Sequence, residues 1–568
     1  MPEIKLENKL KSAKSIYLKR HSENPVPWQI WSEETFELAK KLNRPIFLSS
    51  GYASCHWCRV MEQESFSDFE IAKILEDSFI PIKLDKDEFP DIDKEFQFYL
   101  QSTGEPGGWP LSVFLTPNKE PFFAGTYYPA KPSPDKPSFK MILDNIQKIY
   151  FNKPEEIQKV IKIRNDFLKS FYETKEAPTL SDEEKYLYFN GEFKKIFDTE
   201  FGGFRQGAKF PNIPSLMYLT GQTDDEKIVK FLLTTADKFC TSSLQDYLFG
   251  GFFRYTTDRK WMYPHFEKML TDNAQIPLFL LKMYELTEKR TYLFTAKKTI
   301  DYIIHNFMTD YGLLNSLDAD SLNSRGLLSE GYYYKVTDRD FSVLTEGELK
   351  NFPNDAGIEN DVIYLKSPEY IKIAAMQPTL EKIARRVASV KTQPSFDNKI
   401  ISGYNFMFCT TLLNCFEVSG DDWYLNQANA LFQKIRHLAV DGSKVFRGTY
   451  LGEVIEHRTL DDHVFYLETL IKFFELTKEK EFLVTLRSVA AEIENSFVKN
   501  GIPHLDTDKN IIDSFDDDKP NPLGLYYYLR TTYANLFTET LNPLFVEFAK
   551  DRALRFPTGH PTILRAKI

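Results

Sequence analysis

A Cys-x-x-Cys pair placed directly after a short apolar stretch is the feature that most constrains the fold of this chain. Residues 46–50 (Ile-Phe-Leu-Ser-Ser) form an apolar run followed by Gly51, a pattern that predicts a buried strand and then a turn. Helical spacing begins at Cys55 and continues past Cys58. Such a pair on the first turn of a helix that follows a strand is typical of a thioredoxin-type redox motif. The sequence therefore predicts a thiol–disulfide site at Cys55 and Cys58.

The two cysteines are predicted to have different roles. The partial positive charge and free N–H groups of a helix N-terminus favour a thiolate at Cys55, the nucleophile, and make Cys58 the less exposed, resolving thiol. His56 and Arg59 add positive charge, which stabilises the reduced form and shifts the couple toward oxidant. Two alternatives are half of a zinc site, although no suitably spaced second Cys/His pair lies nearby, and a pair without a redox partner.

Length and composition limit the classes of function. A chain of 568 residues is too long for one core, and its 42% hydrophobic and 15% aromatic content predicts large buried cores. A net charge of −10 argues against nucleic-acid binding. Residues 1–20 lack the apolar region of a signal peptide, and no apolar run is long enough to span a membrane. Because five cysteines do not make a disulfide framework, the sequence predicts a cytoplasmic protein with one reactive pair.

The first 170 residues are predicted to form a thioredoxin-like domain. Their pattern reads helix, strand, helix, strand, helix, strand, strand, helix, which is the thioredoxin order with one added leading helix. Trp109-Pro110 immediately precedes the predicted third strand, 111–116. Thioredoxin folds place a cis-proline at this point, facing the cysteine pair, whereas the alternative is an ordinary turn proline. We therefore expect a cis bond before Pro110 and assign Pro110 to the redox site.

Beyond about residue 175, strand patterns give way to amphipathic helices that fall in pairs. Their weak self-similarity predicts a toroid of stacked helical hairpins over residues 180–568. Gly- and aromatic-rich loops separate the helices, and loops on a rigid scaffold are where function concentrates. The predicted helices are 226–247, 273–286, 292–307, 407–418, 422–438, 462–477, 481–497 and 523–537.

Motifs along nearly the whole chain carry a resemblance to a known family. The chain resembles the spermatogenesis-associated thioredoxin-like proteins found in bacteria, archaea and animals. This resemblance implies an α/β thioredoxin-like domain followed by an all-α six-hairpin (α/α)6 toroid, similar to sugar epimerases and helical-barrel glycosidases. The motifs are Cys-His-Trp-Cys-Arg-Val-Met-Glu-x-Glu-Ser-Phe (55–66), Gly-Gly-Trp-Pro-Leu-Ser-Val-Phe-Leu-Thr-Pro (107–117), Gly-Gly-Phe-Phe-Arg-Tyr (250–255), Pro-His-Phe-Glu-Lys-Met-Leu-Thr-Asp-Asn-Ala (264–274), Leu-Asp-Ala-Asp-Ser (317–321) and Leu-Asp-Asp-His (460–463).

The chain departs from the family pattern at several positions. Arg59 replaces a usual His, and Phe89 replaces a usual Arg. In the toroid, 404–406 (Tyr-Asn-Phe) replaces Trp-Asn-Gly, and 520–524 (Pro-Asn-Pro-Leu-Gly) replaces a Pro-Ser-Gly-Asn-Ser stretch. Two cleft loops have therefore changed, and we expect that a ligand can bind there without being turned over.

Three carboxylate-rich loops of the toroid are candidates for a sugar site. Aromatic faces stack on sugar rings, while carboxylates and histidines supply hydrogen bonds and proton transfer. Because an (α/α)6 toroid brings such loops to one end of its axis, we expect these side chains to converge. The alternative is that each cluster caps its own helix. The predicted residues are Glu267 and Asp462 as acid/base groups, with Asp461 as the alternative partner of Glu267, and Arg254, His265, Asp320, Asp461 and His463 as substrate-binding groups.

The sequence leaves three functional readings open. The first is a cytoplasmic thiol–disulfide oxidoreductase with a thiol or disulfide protein as partner. The second is a carbohydrate isomerase or hydrolase with a regulatory thioredoxin-like domain and a sugar in the toroid cleft. The third is a non-catalytic scaffold. None of them calls for a metal, a cofactor, a nucleic acid or a membrane.

Overall fold

The computed structural model describes residues 5–174 and 180–566. The chain as a whole divides into two compact units, Met1–Thr174 and Lys175–Ile568. Residues 175–179, where the sequence predicts the change between domains, lie outside the described residues. Residues 1–4, part of the segment 1–20 compared with a signal peptide above, lie outside them too.

The first unit is a four-stranded sheet with helices around it. Strands β1 (Ile46–Gly51) and β2 (Ile80–Asp85) are parallel, and β3 (Leu111–Leu115) and β4 (Pro121–Gly125) continue the sheet antiparallel in the order β2-β1-β3-β4. The long connection between β1 and β2 contains helices, as parallel pairing requires. The helices of this unit are α1 (Ile16–Arg20), α2 (Glu33–Leu42), α3 (His56–Met61), α4 (Phe69–Ser78), α5 (Pro90–Ser102), α6 (Phe139–Asn152) and α7 (Pro154–Tyr172).

This arrangement is the predicted thioredoxin-like order, and the Trp109–Pro110 peptide bond is cis, as the sequence predicts. Every residue of β1 and β2 is buried, which explains the apolar residues that begin each strand, and polar residues toward their carboxyl ends are buried with them. In their parallel register Gly51 lies opposite Asp85. The carboxyl end of β1 leads directly into α3, so the cysteine pair lies at the edge of the sheet where β1 and β2 both end.

The second unit is mostly helical. Its helices are α8 (Asp182–Lys194), α9 (Ile213–Leu219), α10 (Glu226–Phe239), α11 (Leu270–Thr287), α12 (Arg290–Phe307), α13 (Glu346–Asp355), α14 (Tyr370–Val390), α15 (Ser402–Ser419), α16 (Asp422–Ala439), α17 (Leu460–Thr477), α18 (Lys480–Phe497), α19 (Pro522–Thr532), α20 (Pro543–Arg555) and α21 (Pro561–Leu564). Short antiparallel strands lie at Tyr255–Thr256, Pro264–His265, Lys268–Met269, Ser316–Leu317, Asp320–Leu322, Leu328–Glu330, Ala356–Glu359, Val362–Leu365, Phe396–Asp397, Lys399–Ile401, Val440–Asp441, Lys444–Val445, Gly448–Tyr450, Glu453–Ile455, Val498–Lys499 and Ile502–Pro503.

Within residues 180–566, six helices close into a ring. Helix α9 packs on α11, and the ring continues through α15, α17, α19 and α21, which returns to α9. An outer helix precedes each of them in the chain, namely α8, α10, α12, α16, α18 and α20. Six outer–inner pairs arranged in a closed ring are an (α/α)6 toroid, so the predicted fold class is confirmed.

The sequence explains which helices lie inside the ring. Helix α15 is buried without a break from Ser402 to Leu413, whereas the outer helix α16, which packs against it, buries one stripe that includes Tyr424, Leu431 and Ile435. A helix that is apolar all round must be surrounded, and an amphipathic helix can cover it. Helices α13 and α14 form an insertion between α12 and α15, with an apolar cluster that includes Phe352, Leu380 and Ile383.

A repeated loop leads into the toroid's early hairpins. Asp198 accepts hydrogen bonds from the amides of Glu200 and Phe201, and its carboxylate binds the buried Lys209 at 2.9 Å. Two glycines follow with φ of 70° and 65°, in the left-handed region that favours glycine. The same arrangement recurs at Asp246, which binds Lys268 at 2.6 Å. These buried pairs hold the loops that carry the predicted toroid site.

Candidate functional site

The cysteine pair caps helix α3. Cys55 and Cys58 form a disulfide, and the Sγ atom of Cys55 accepts a hydrogen bond of 3.1 Å from the amide of Cys58. Cys58 is 2% exposed and Cys55 5%, the predicted order. Between them Trp57 is 45% exposed and packs against Tyr127, with ring centroids 5.1 Å apart. The disulfide therefore lies just below the surface beside an exposed aromatic side chain.

Asp93 lies in the same region of the first unit, although the sequence analysis missed it. Its carboxylate accepts hydrogen bonds from the Ser50 hydroxyl and, at 3.0 Å, from the Trp109 indole N–H. Burial raises the pKa of Asp93 to about 6, although these hydrogen bonds and Lys86 oppose the shift. Asp93 thus ties the end of β1 to the residue that precedes the cis-proline, and it titrates near neutral pH.

A second missed residue, Lys83, lies buried on β2. Its Nζ atom donates to the Ser49 hydroxyl at 3.0 Å and lies over the rings of Tyr17, Trp28 and Phe66. Burial lowers the pKa of Lys83 to about 7, opposed by the charge of Glu62. A lysine within an otherwise apolar strand, 80–84, was the sequence signal that could have identified it.

In the toroid, three of the predicted residues are joined through one loop. Arg254 contacts Glu267 at 3.2 Å and Asp518 at 3.5 Å. The neighbouring Lys519 binds Asp461 at 2.6 Å. The loop that contains Asp518 and Lys519 therefore brings Arg254, Glu267 and Asp461 into one charged cluster, and the sequence analysis did not assign either loop residue to the site.

His265 and Asp320 lie on a neighbouring set of short strands. The Nδ1 atom of His265 lies close to the carboxylate of Glu330, the residue paired with Asp320 across an antiparallel ladder. His265 in turn pairs with Tyr255, the residue after Arg254. Asp320 is buried, and its amide donates to Asp318 at 3.1 Å.

Asp462 and His463 make contacts of a different kind. Asp462 binds Arg447 at 2.9 Å and accepts hydrogen bonds from Thr459 and from the amide of Gly403. His463 accepts from the amide of Val445 at 3.1 Å, and its other ring nitrogen lies 2.8 Å from the Thr459 carbonyl. Burial lowers the pKa of His463 to about 4, so the ring is neutral near pH 7. These contacts hold the start of α17 in place. They correspond to the alternative in which the cluster caps its own helix.

The toroid also encloses a cavity of about 460 Å³ that all six inner helices line. Among the described residues, its lining includes Glu468 and Glu475 of α17, Tyr528 of α19, and Arg565, but not the predicted site residues. Arg565 lies 4.2 Å from the Tyr528 ring centroid. Most of the predicted residues lie near the N-terminal ends of α11 and α17, whereas the cavity runs along α11 from Gln275 to Glu285 and along α17 from Phe465 to Glu475.

Over residues 5–174 and 180–566, no group of three or more His, Cys, Asp or Glu side chains has an arrangement suited to a metal ion. Likewise, none of the helices described is both long and apolar enough to cross a bilayer.

Comparison with known proteins agrees with this architecture. Residues 7–169 match the Thioredox_DsbH family model, described as a protein of unknown function, DUF255. Spermatogenesis-associated protein 20 of Homo sapiens is 28% identical over 540 residues, covering 84% of this chain and 68% of the human protein. An uncharacterized protein of Caenorhabditis elegans is 28% identical over 538 residues, covering 84% and 72% of the two chains.

Solved structures similar to this chain include carbohydrate-active proteins. A GH76 α-mannanase of Bacteroides thetaiotaomicron covers 68% of this chain and 96% of its own at 11% identity, with a TM-score of 0.42. A sugar epimerase from a ruminal bacterium covers 66% and 96% at 14% identity, with a TM-score of 0.30. Similarities this low assign neither a ligand nor a reaction to this chain.

The fold defines the class of this protein: a thioredoxin-like domain that contains a Cys-x-x-Cys disulfide is followed in the chain by an (α/α)6 toroid. Within that class, the chain is similar to spermatogenesis-associated protein 20 over 84% of its length, which confirms the resemblance predicted from its motifs.

Proposed function

We propose that this protein is a thiol–disulfide oxidoreductase that acts through Cys55 and Cys58. The observation that carries the proposal is the disulfide at the start of α3, where the Cys55 sulfur already accepts a backbone N–H bond. The same N–H stabilises a Cys55 thiolate, the species that exchanges. The three other cysteines, Cys240, Cys409 and Cys415, are buried, and burial raises the pKa of each thiol well above its usual value.

The exchange reaction has two steps. An external thiolate attacks the Cys55 sulfur and forms a mixed disulfide with it, while the bond to Cys58 breaks and its electron pair leaves on the Cys58 sulfur. A second external thiolate then attacks the partner's sulfur in the mixed disulfide and releases Cys55 as a thiolate. The external dithiol is oxidised and the protein pair is reduced, and the reverse sequence reduces an external disulfide.

Two features support a protein substrate and a cytoplasmic setting. The exposed ring of Trp57, packed on Tyr127, offers an apolar contact for a peptide beside the disulfide. Three buried free thiols beside one disulfide fit a compartment in which structural disulfides are rare.

Trapping of mixed disulfides tests the proposal. We expect reduced Cys58→Ser to retain a disulfide-bonded partner on Cys55, because the resolving thiol is missing, and Cys55→Ser to retain none. In an insulin reduction assay, both variants should lose the wild-type activity, whereas Cys240→Ser, a buried cysteine of the toroid, should retain it. Equal trapping by both variants, or wild-type activity in Cys55→Ser, would overturn the proposal.

Labelling tests the assigned order of the two cysteines. Near pH 6, iodoacetamide should modify Cys55 of the reduced protein before Cys58 and before the toroid cysteines, because the Cys55 sulfur accepts a backbone N–H at a helix N-terminus. Equal labelling of the pair would contradict the assignment of Cys55 as the nucleophile.

A second candidate function is favoured by the charged cluster of Arg254, Glu267 and Asp461. Residues 518–519 join these three side chains, which supports a carbohydrate isomerase or hydrolase in the toroid. The thioredoxin-like domain would then be regulatory. A panel of mono- and oligosaccharides should then raise the thermal midpoint of the toroid, and Glu267→Gln should bind the same sugar but lose its turnover. If no sugar in the panel stabilises the protein, the cluster is structural.

A further inference from the structure

Tyr17 is a buried tyrosine from the short helix α1, which the sequence did not predict, and its hydroxyl group lies next to the disulfide. A Cβ atom built at Gly51 would lie 2.3 Å from the Tyr17 hydroxyl oxygen and 2.7 Å from the Cys58 Sγ atom. Both atoms therefore border the open side of Gly51, at the end of β1. A side chain at Gly51 would collide with both of them, so the glycine leaves free the space that the phenol and the sulfur share.

The Tyr17 hydroxyl group is also buried without a hydrogen bond among the described residues. A buried O–H without a partner is costly, and such groups in native proteins call for an explanation. Of the two sulfurs, that of Cys55 already accepts a hydrogen bond, from the amide of Cys58.

The groups around Tyr17 keep it protonated. Burial raises the pKa of Tyr17 well above its usual value, and the charges of Asp85, Glu62 and Asp93 add to the shift, while Arg20 opposes it. The Nζ atom of Lys83 lies 5.2 Å from the centroid of the Tyr17 ring. The phenol is therefore a donor at any pH at which the protein works, and it does not give up its proton.

We infer that Tyr17 is a positioning residue for Cys58, whose sulfur accepts a hydrogen bond from the Tyr17 hydroxyl once the disulfide opens. This inference rests on the proposed thiol–disulfide exchange. When an external thiolate attacks Cys55, the electron pair of the broken S–S bond goes to the Cys58 sulfur, and that sulfur gains a negative charge that a disulfide sulfur lacks. The phenol O–H stabilises this charge without transferring its proton, so the leaving thiolate and the reduced state are both favoured.

The substitution Tyr17→Phe tests this role because it removes one oxygen atom and leaves the ring. We expect the equilibrium constant for oxidation by glutathione disulfide to rise about tenfold in the variant, which is a reduction potential more negative by about 30 mV. The oxidised variant should melt at the wild-type temperature or above it, since an unpartnered hydroxyl has been removed. The reduced variant should melt below the reduced wild type.

The matched control is Tyr128→Phe, which alters another buried tyrosine of the same unit, one that stacks on Phe139. It should leave the potential unchanged. As a second measurement, the thiolate absorbance of Cys55→Ser should titrate at lower pH with Tyr17 present than with Tyr17→Phe. Equal shifts of the oxidised and reduced melting temperatures, or an unchanged potential, would overturn the role of Tyr17. Loss of trapping by Cys58→Ser would instead overturn the proposed function, so the two failures are distinguishable.

Discussion

Two buried lysines, one in each unit, have nearly the same surroundings but different partners. Lys83 in the first unit and Lys268 in the toroid are both almost fully buried, and each lies over three aromatic rings. Lys268 binds the Asp246 carboxylate at 2.6 Å and the Gly250 carbonyl at 2.7 Å. Lys83 binds only the Ser49 hydroxyl among the described residues, at 3.0 Å.

The other buried charges near the two predicted sites differ in their partners in the same way as these lysines. In the toroid, the buried charges of the predicted site are matched by close opposite charges, as Asp461 is by Lys519 and Asp462 by Arg447. Around the disulfide, charges are buried with hydroxyls and rings as neighbours, and burial moves the pKa values of Lys83 and Asp93 to about 7 and 6. Burial also lowers the pKa of Lys268 and raises that of Asp462, so the two regions differ in the partners of their buried charges rather than in whether burial shifts a pKa.

The largest effect is expected where a matched pair is broken. Lys268→Met leaves the Asp246 carboxylate buried without its cation, and it should lower the free energy of unfolding of the toroid by about 3–5 kcal/mol. Urea unfolding followed by helical circular dichroism measures the loss. As a control, the double variant with Asp246→Leu should cost less than the sum of the two single changes. A neutral Lys268→Met would remove the distinction between the two lysines.

A smaller, pH-dependent effect is expected at Asp93. Because its pKa in the folded protein is raised to about 6, the folded state holds this proton more tightly than the unfolded state. Its stabilising contribution is therefore complete below about pH 4 and is lost as pH rises through about 6, a change of up to about 3 kcal/mol. Asp93→Asn should flatten the stability of the first unit across this range, measured by urea unfolding at several pH values. An unchanged pH profile would contradict the raised pKa.

Replacing Lys83 should have the opposite sign to replacing Lys268. Lys83→Met removes a charge without a close carboxylate, so the first unit should gain about 1–3 kcal/mol near neutral pH. Since burial lowers the pKa of Lys83 to about 7, the wild type loses stability as pH falls from about 10 to 7, and the gain should grow over the same interval. Glu62→Gln is the control. It removes the carboxylate whose charge favours protonated Lys83, and it leaves the lysine in place. A loss of stability in Lys83→Met would mean that this lysine is structural too.

Local patterns in the sequence predicted the elements that carry the cysteines. The apolar run ending at Gly51, followed by a helix start, places Cys55 and Cys58 without tertiary information, and the structure agrees. Helix ends were less predictable. The helix predicted over 226–247 ends at Phe239, because Asp246 belongs to the turn held by Lys268. Helix α14, with Pro378 in its interior, and α20 were not predicted.

The surroundings of the sites depended on tertiary contacts that one sequence does not contain. Tyr17, Lys83 and Asp93 come from three separate elements, and they meet at the end of β1 because of the register of the sheet and the packing of α1. In the toroid, the motif containing Asp461, Asp462 and His463 was predicted as one site. The structure gives Asp461 a partner from residues 518–519 and directs its two neighbours to Arg447, Thr459 and Val445. Adjacent residues on a helix face different directions, and the choice among them depends on distant loops.

The smallest expected effect compares two carboxylates on one guanidinium group. Arg254 contacts Glu267, whose side chain is 1% exposed, and Asp518, whose side chain is 29% exposed. Because water screens the second pair, Asp518→Asn should change the free energy of unfolding by less than about 1 kcal/mol, whereas Glu267→Gln leaves a buried cation and should cost about 3 kcal/mol or more. Thermal unfolding of both variants, with and without the sugar panel, separates stability from binding. If Asp518→Asn leaves stability intact but removes a sugar-induced rise in melting temperature, this cluster serves a ligand, and the toroid no longer contrasts with the disulfide region as a purely structural unit.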